Sequence, residues 1–137
     1  MLKVVLDTNI IISSLSKKSR YHIIIDYLLQ GIYTISVNND ILLEYEEKIA
    51  EKYNAAYAAA FITALLQSSI AEKVTVDFNL FLIKADPDDN KFADVAFCSN
   101  ANFIVSNDKH FHELKNYEFP KIEVISIDEF ITLLTQQ

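Results

Sequence analysis

A single cysteine, Cys98, is all the thiol chemistry that this chain of 137 residues carries. One cysteine excludes an internal disulfide and a cysteine-based zinc site, and it suits a reducing, cytoplasmic compartment. Cys98 lies inside the apolar run ADVAFCSNANF, where a free cysteine reads as a small buried hydrophobe rather than a nucleophile. One glycine and two prolines leave little room for long irregular loops. No apolar run approaches the length of a membrane span. The opening residues carry no apolar leader with a small-residue cleavage site. Basic residues are in short supply: 12 Lys and Arg stand against 19 Asp and Glu, a formal charge of −7. That balance argues against a nonspecific nucleic-acid binder working by charge alone. It leaves room for an enzyme on nucleic acid whose acids are neutralised by divalent cations. Lys17, Lys18 and Arg20, and later Lys109 and Lys115, are candidates for phosphate contacts, although such short groups are usually solvated surface.

What is present is an apolar fraction of 51% with 23% charged residues, the composition of a globular chain. Its length suits one domain, residues 1–137. Val4, Val5 and Leu6 form a short buried strand that stops at Asp7, and a helix follows. Polar residues 16–20 interrupt that helix, and a second helical stretch over 21–30 ends at Gly31, a natural C-cap. YTISV (33–37) is the second strand. Asn38, Asn39 and Asp40 cap the helix ILLEYEEKIAEKY, where Glu44 is expected to pair with Lys48 at i,i+4. AAYAAAFITALLQSSI is a helix apolar nearly all round, sandwiched in the monomer or set against a partner. Lys73 to Val76 reads as the third strand, and Asp77 to Ala85 as an irregular connection. The acidic turn 86–90 opens a helix over 91–100, Phe103 to Val105 is the fourth strand, and Val124 with Ile125 the fifth. Asp128 is expected to cap the last helix. Strands alternating with helices predict an α/β fold with a mainly parallel sheet of about five strands, covered on both faces.

Four acids share one topological description. Asp7 ends the first strand, Glu44 lies in the helix after the second, Asp89 opens the helix before the fourth, and Asp108 follows the fourth. An Asp after a first strand either caps the next helix or serves as a functional acid in the crevice at the carboxyl ends of the strands. Carboxylates gathered there repel one another, and hard divalent cations that prefer oxygen relieve the repulsion. Mg²⁺ or Mn²⁺ follows more naturally than Zn²⁺, since no Cys or His set accompanies the acids. His110 and His112 are expected on a surface turn.

The segments VLDTNIIISSL, Glu44 in a following helix, DPDDNKFADVAF and IVSNDKHF, in that order, resemble the PIN domain, and within it the toxin component of prokaryotic toxin–antitoxin pairs. The resemblance implies a three-layer α/β/α sandwich and a metal-dependent endoribonuclease. It also implies RNA as substrate, Mg²⁺ or Mn²⁺ as cofactor, and Asp7, Glu44, Asp89 and Asp108 as the acidic cluster. Asn9 becomes a polar residue that orients the acids. The third motif offers Asp88, Asp89 and Asp94. Asp89 is the expected ligand because NKFADVAF after it matches the family's helix, while Asp94 is placed to share the metal. Ser106 stands where the family often has Thr and keeps the hydroxyl. Water attacking in line would leave a 5′-phosphate and a 3′-hydroxyl. A protein antitoxin covering the acid pocket, and a homodimer, are the partners implied.

Other classes fit less well. An aspartyl-phosphate phosphatase places Asp after its first strand but needs a second Asp two residues on, and Asn9 stands there. A receiver domain wants a Lys after its fifth strand, where Ile125 is followed by Ser126. A PIN-like domain that only binds RNA or protein differs from the enzyme in lacking metal-dependent cleavage.

Overall fold

Val4, Val5 and Leu6 are fully buried, as a strand covered on both faces requires. They form β1 (Lys3–Leu6) at the centre of a five-stranded sheet of order β3-β2-β1-β4-β5, every pair parallel. The structure is a computed structural model and describes residues 1–77, 79–84 and 86–136. Phe78 and Ala85, within the stretch read as an irregular connection, lie outside the described residues.

After β1 come α1 (Thr8–Ser14) and α2 (Ile23–Leu29), separated by the predicted break. Gly31, at φ +75, closes α2: its N–H donates to Leu28 at 2.9 Å and the Ile32 N–H to Tyr27 at 3.0 Å, the paired bonds of a Schellman cap. β2 (Thr34–Val37) leads into α3 (Asn39–Lys52) and α4 (Ala55–Gln67). Asn38 and Asn54 cap these two helices, accepting from Ile41 N–H at 2.9 Å and Tyr57 N–H at 2.8 Å. The third strand, β3, is Ala71–Lys73 rather than the later stretch expected from Val74 and Val76. As an edge strand it takes its register from β2 alone, with Ile35 opposite Ala71 and Val37 opposite Lys73.

A 3₁₀ turn (Pro87–Asp89) opens α5 (Asn90–Ser99), then come β4 (Phe103–Val105), a 3₁₀ segment (Lys109–Asn116), β5 (Val124–Ile125) and α6 (Ile127–Thr135). β1 to β3 step outward on one side of the sheet and the chain then crosses back to β4. With right-handed crossovers, α1 to α4 cover one face and α5 the other, giving the three-layer sandwich. The Phe92 and Phe111 rings meet edge-on at 6.2 Å under the second layer, and Tyr33 and Phe130 at 5.1 Å hold α6 to the first. The strand order reverses between β1 and β4. The carboxyl ends of those two strands therefore frame a crevice.

Two local expectations change. Ser126, not Asp128, caps α6: its hydroxyl accepts from the Glu129 N–H at 3.1 Å while Glu129 accepts from the Ser126 N–H at 3.0 Å. Helix α4 buries only Ala58, Phe61 and Leu65, and leaves Tyr57 and Leu66 exposed. Among the described residues no helix is long and apolar enough to cross a membrane.

Candidate functional site

Asp7 extends β1 by one bond, its N–H donating to the Val105 carbonyl at 3.0 Å, and it stands at the N-cap of α1. Its side chain makes no capping hydrogen bond. Instead the buried Ser106 hydroxyl donates to Asp7 Oδ2 at 2.8 Å and accepts from the Asp108 N–H at 3.0 Å. One hydroxyl thus ties the end of β1 to the turn after β4. The buried Tyr45 hydroxyl donates to the Leu6 carbonyl at 2.6 Å and locks α3 to the same strand end. From α3, Glu44 reaches toward α1, accepts from the Thr8 hydroxyl, and pairs through Oε1 with Lys91 Nζ at 2.7 Å. Its expected partner Lys48 pairs with Glu51 at 3.6 Å instead. The crevice thereby wins a contact that sequence spacing alone assigns to the helix surface.

Asp89 stands at the N-cap of α5, again without a capping bond. Asn90 holds the turn around it, accepting from the Ile83 N–H at 2.8 Å and donating to the Ile83 carbonyl at 2.8 Å. Asp86 and Asp108 do cap: Asp86 Oδ1 accepts from the Asp88 N–H at 3.2 Å, and Asp108 Oδ1 from the His110 N–H at 2.9 Å.

Burial pushes the Asp7 carboxyl up to about 6, against the Ser106 hydrogen bond, and the charges of Asp108 and Glu44 add to the rise. Burial likewise pushes Asp89 up to about 7, with Asp86, Asp7 and Asp108 adding to the shift and His110 opposing it. Glu44, Asp89 and Asp108 therefore each stand within electrostatic reach of Asp7. Asp89 Oδ2 and His110 Nδ1 are buried and have no hydrogen-bond partner among the described residues.

The surprise is His110. Its Nδ1 lies 3.3 Å from Asp108 Oδ1, 3.6 Å from Asp89 Oδ2 and 3.8 Å from Asp86 Oδ2, not on an outlying turn. Its place two residues after Asp108, on the turn that Asp108 caps, was the available signal. His112 is exposed, as expected.

Sequence profile comparison matches residues 3–110 to the PIN domain. The chain belongs to the PIN domain family. The PIN domain found here is similar in fold to two solved complexes. One is VapBC2 from Rickettsia felis bound to a promoter DNA fragment: 16% identity, TM-score 0.60, covering 91% of this chain and 98% of that one. The other is DNA-bound VapBC from Salmonella typhimurium: 20% identity, TM-score 0.60, covering 93% and 99% respectively. At these identities the likeness speaks for the fold. No curated protein sequence gives a match.

Within this PIN domain the remaining candidates fall outside the cluster. Asp94 is buried on α5, accepts from the Leu80 N–H at 3.0 Å, and lines an adjoining pocket of about 440 Å³ with Asn38, Asp40, Lys73 and Lys91. Burial raises its carboxyl as well, with the Leu80 N–H opposing. Asp88 is exposed. Asn9 is exposed, and among the described residues its side chain holds none of the acids; Thr8 and Ser106 hold them instead. Cys98 is half-buried and burial raises its thiol, which keeps it protonated rather than nucleophilic.

Proposed function

We propose that this PIN domain is a metal-dependent endoribonuclease that hydrolyses RNA phosphodiester bonds, with Asp7, Glu44, Asp89 and Asp108 as its metal-binding and catalytic acids. The observation that carries this reading is a pair of N-cap carboxylates, Asp7 and Asp89, that cap nothing. Both are pushed toward neutrality by burial and by neighbouring acids. Among the described residues neither is paired with a lysine or arginine. A divalent ion answers that arrangement: Asp89 Oδ2 is a buried oxygen without a hydrogen-bond partner among the described residues, and carboxylate oxygens suit Mg²⁺ or Mn²⁺. When bound, such an ion neutralises charge on the scissile phosphate and supplies a nucleophilic water near neutral pH.

The chain's own residues then have separate tasks. Ser106 holds Asp7 Oδ2 and the Asp108 backbone at a fixed separation. Thr8 and Lys91 hold Glu44, so that its carboxylate completes the acid ring without swinging to solvent. Asn9, exposed two residues past Asp7, meets substrate, whereas Lys17 lies beyond the far end of α1, beside Tyr53 and Tyr57.

The two VapBC neighbours support a narrower reading. In it the chain, as one domain over residues 1–137, is the toxin of a type II toxin–antitoxin pair, working in the cytoplasm as a homodimer. A protein antitoxin covers its acid crevice. The side of α4 away from Ala58, Phe61 and Leu65 is the surface for one of these contacts.

The test is incubation of the protein, and of its Asp7→Asn and Asp89→Asn variants, with a pool of single-stranded and structured RNA in Mg²⁺, Mn²⁺ or EDTA. The expected result is cutting by the unaltered protein alone, only with metal, leaving 5′-phosphate and 3′-hydroxyl ends. Cutting that survives EDTA or both substitutions contradicts the assignment. Metal binding with no cutting of any RNA would favour a binding domain.

A further inference from the structure

We propose that His110 is itself a ligand of the divalent ion, through Nδ1, and that this nitrogen biases the site toward Mn²⁺ over Mg²⁺. The proposal rests on the metal-dependent reading above and adds a donor that reading does not contain.

Three carboxylate oxygens, from Asp108, Asp89 and Asp86, surround Nδ1 at 3.3, 3.6 and 3.8 Å. A charged N–H paired directly with a carboxylate sits at about 2.7–2.9 Å, on line with one oxygen. Here Nδ1 is buried and makes no hydrogen bond among the described residues, and the facing Asp89 Oδ2 is in the same condition. Donor atoms about 2.0–2.2 Å from a common ion lie about 3.0 Å apart when adjacent and about 4.2 Å apart when opposite. The observed separations fall between those limits. One donor atom each from Asp86, Asp89 and His110 lie within 4.8 Å of one another.

The ring is also held for the task. The His110 backbone N–H donates to Asp108 Oδ1 at 2.9 Å, and the next residue, Phe111, is fully buried with its ring edge-on to Phe92. Asp86 spends Oδ1 on its turn and turns Oδ2 toward the imidazole. Asp89 is the member shared between this end of the cluster and the Asp7 end. A mixed nitrogen and oxygen set favours ions later in the transition series, whereas Mg²⁺ prefers oxygen and retained water.

The experiment loads the purified protein with Mn²⁺ and records pulsed electron paramagnetic resonance for nitrogen coupling, using natural-abundance and histidine-¹⁵N-labelled protein. Direct competition between Mn²⁺ and Mg²⁺ is measured alongside. The expected result is a ¹⁴N coupling that becomes a ¹⁵N coupling on labelling. It vanishes in His110→Gln although Mn²⁺ still binds, and the Mn²⁺ preference falls by about 10-fold or more. Where the variant folds poorly, absence of histidine ¹⁵N coupling in the labelled wild type still overturns the proposal, and coupling that survives in both His22→Gln and His112→Gln assigns the ligand to His110. Bound Mn²⁺ without nitrogen coupling, or coupling that persists in a folded His110→Gln protein, overturns the proposal. If metal-dependent RNA cutting survives in that case, the nuclease reading stands and only the His110 ligand falls. Failure of Mn²⁺ to bind at all overturns both.

Discussion

Helices α5 and α6 begin with acids of the same type, put to opposite use. At α6 the acids serve the helix. Glu129 and Ser126 cap each other reciprocally, Asp128 pairs with Arg20 at 3.2 Å, and the Ser126 bonds hold Glu129 below the usual carboxylate range. At α5 the N-cap residue Asp89 takes no capping bond and is pushed up to about 7. Asp7 repeats the pattern at α1 and reaches about 6. An acid at a helix N-terminus normally gains from the dipole and from unpaired N–H groups. Neither Asp7 nor Asp89 makes a capping hydrogen bond, and at Asp7 burial outweighs the Ser106 and Thr8 hydrogen bonds that lower its carboxyl; both sit among like charges, a cost to folding that a ligand from outside the chain can offset.

The sharpest way to break this contrast is catalytic. Asp89→Asn or Asp7→Asn should lower RNA cleavage by about 10²-fold or more while leaving the circular dichroism spectrum unchanged, whereas Glu129→Gln should leave cleavage intact. Equal losses at α5 and α6 would show that the acids differ in nothing but position.

Stability supplies the next contrast, with the opposite sign. A shift from 3.8 to about 6 at the largely buried Asp7 corresponds to about 3 kcal/mol of charge burial at pH 8. Asp7→Asn should therefore raise the metal-free melting temperature at that pH, and urea unfolding would measure the gain. Ser126→Ala should instead lower stability by about 1 kcal/mol. A destabilised Asp7→Asn protein would mean that the carboxylate is satisfied as it stands.

The pH profile refines the same point. Asp7 and Asp89 hold their protons more tightly folded than unfolded. Their stabilising contribution is fully present below about pH 4 and is lost as pH rises through about 6 and then about 7. Metal-free protein should accordingly melt lower at pH 8 than at pH 5.5, and Asp7→Asn should flatten that fall. Glu129 runs the other way: its contribution is present above its unfolded value and is lost on acidification. Ser106→Ala is the mildest probe. It removes the 2.8 Å bond to Asp7 and should raise the Asp7 titration point, followed by carboxyl NMR, with the fold unchanged.

Much of this was legible from the chain. Val4 to Leu6 and Phe103 to Val105 carry the buried character of central strands, and their ends deliver Asp7 and Ser106 to the crevice. Gly31, Asn38 and the break after α1 read correctly because their signals are local. What escaped was set by distant contacts. β3 pairs where β2 dictates, ahead of Val74 and Val76. Glu44 bonds Lys91, 47 positions on, in preference to Lys48 one turn away. His110 joins Asp86 and Asp89 only because the turn after β4 folds against the start of α5. The α6 cap is different: Ser126 with Glu129 three residues on is a capping box written in the sequence, outcompeting Asp128.

The measurement that bears most directly on the central claim is thermal unfolding at pH 8 with and without Mn²⁺, for the unaltered protein and for Asp89→Asn. Mn²⁺ at about 100 times its Kd should stabilise the unaltered protein by about 2.7 kcal/mol and the variant by far less. No shift in the unaltered protein, or an equal shift in both, would contradict the account: the uncapped carboxylates would then not be a metal site.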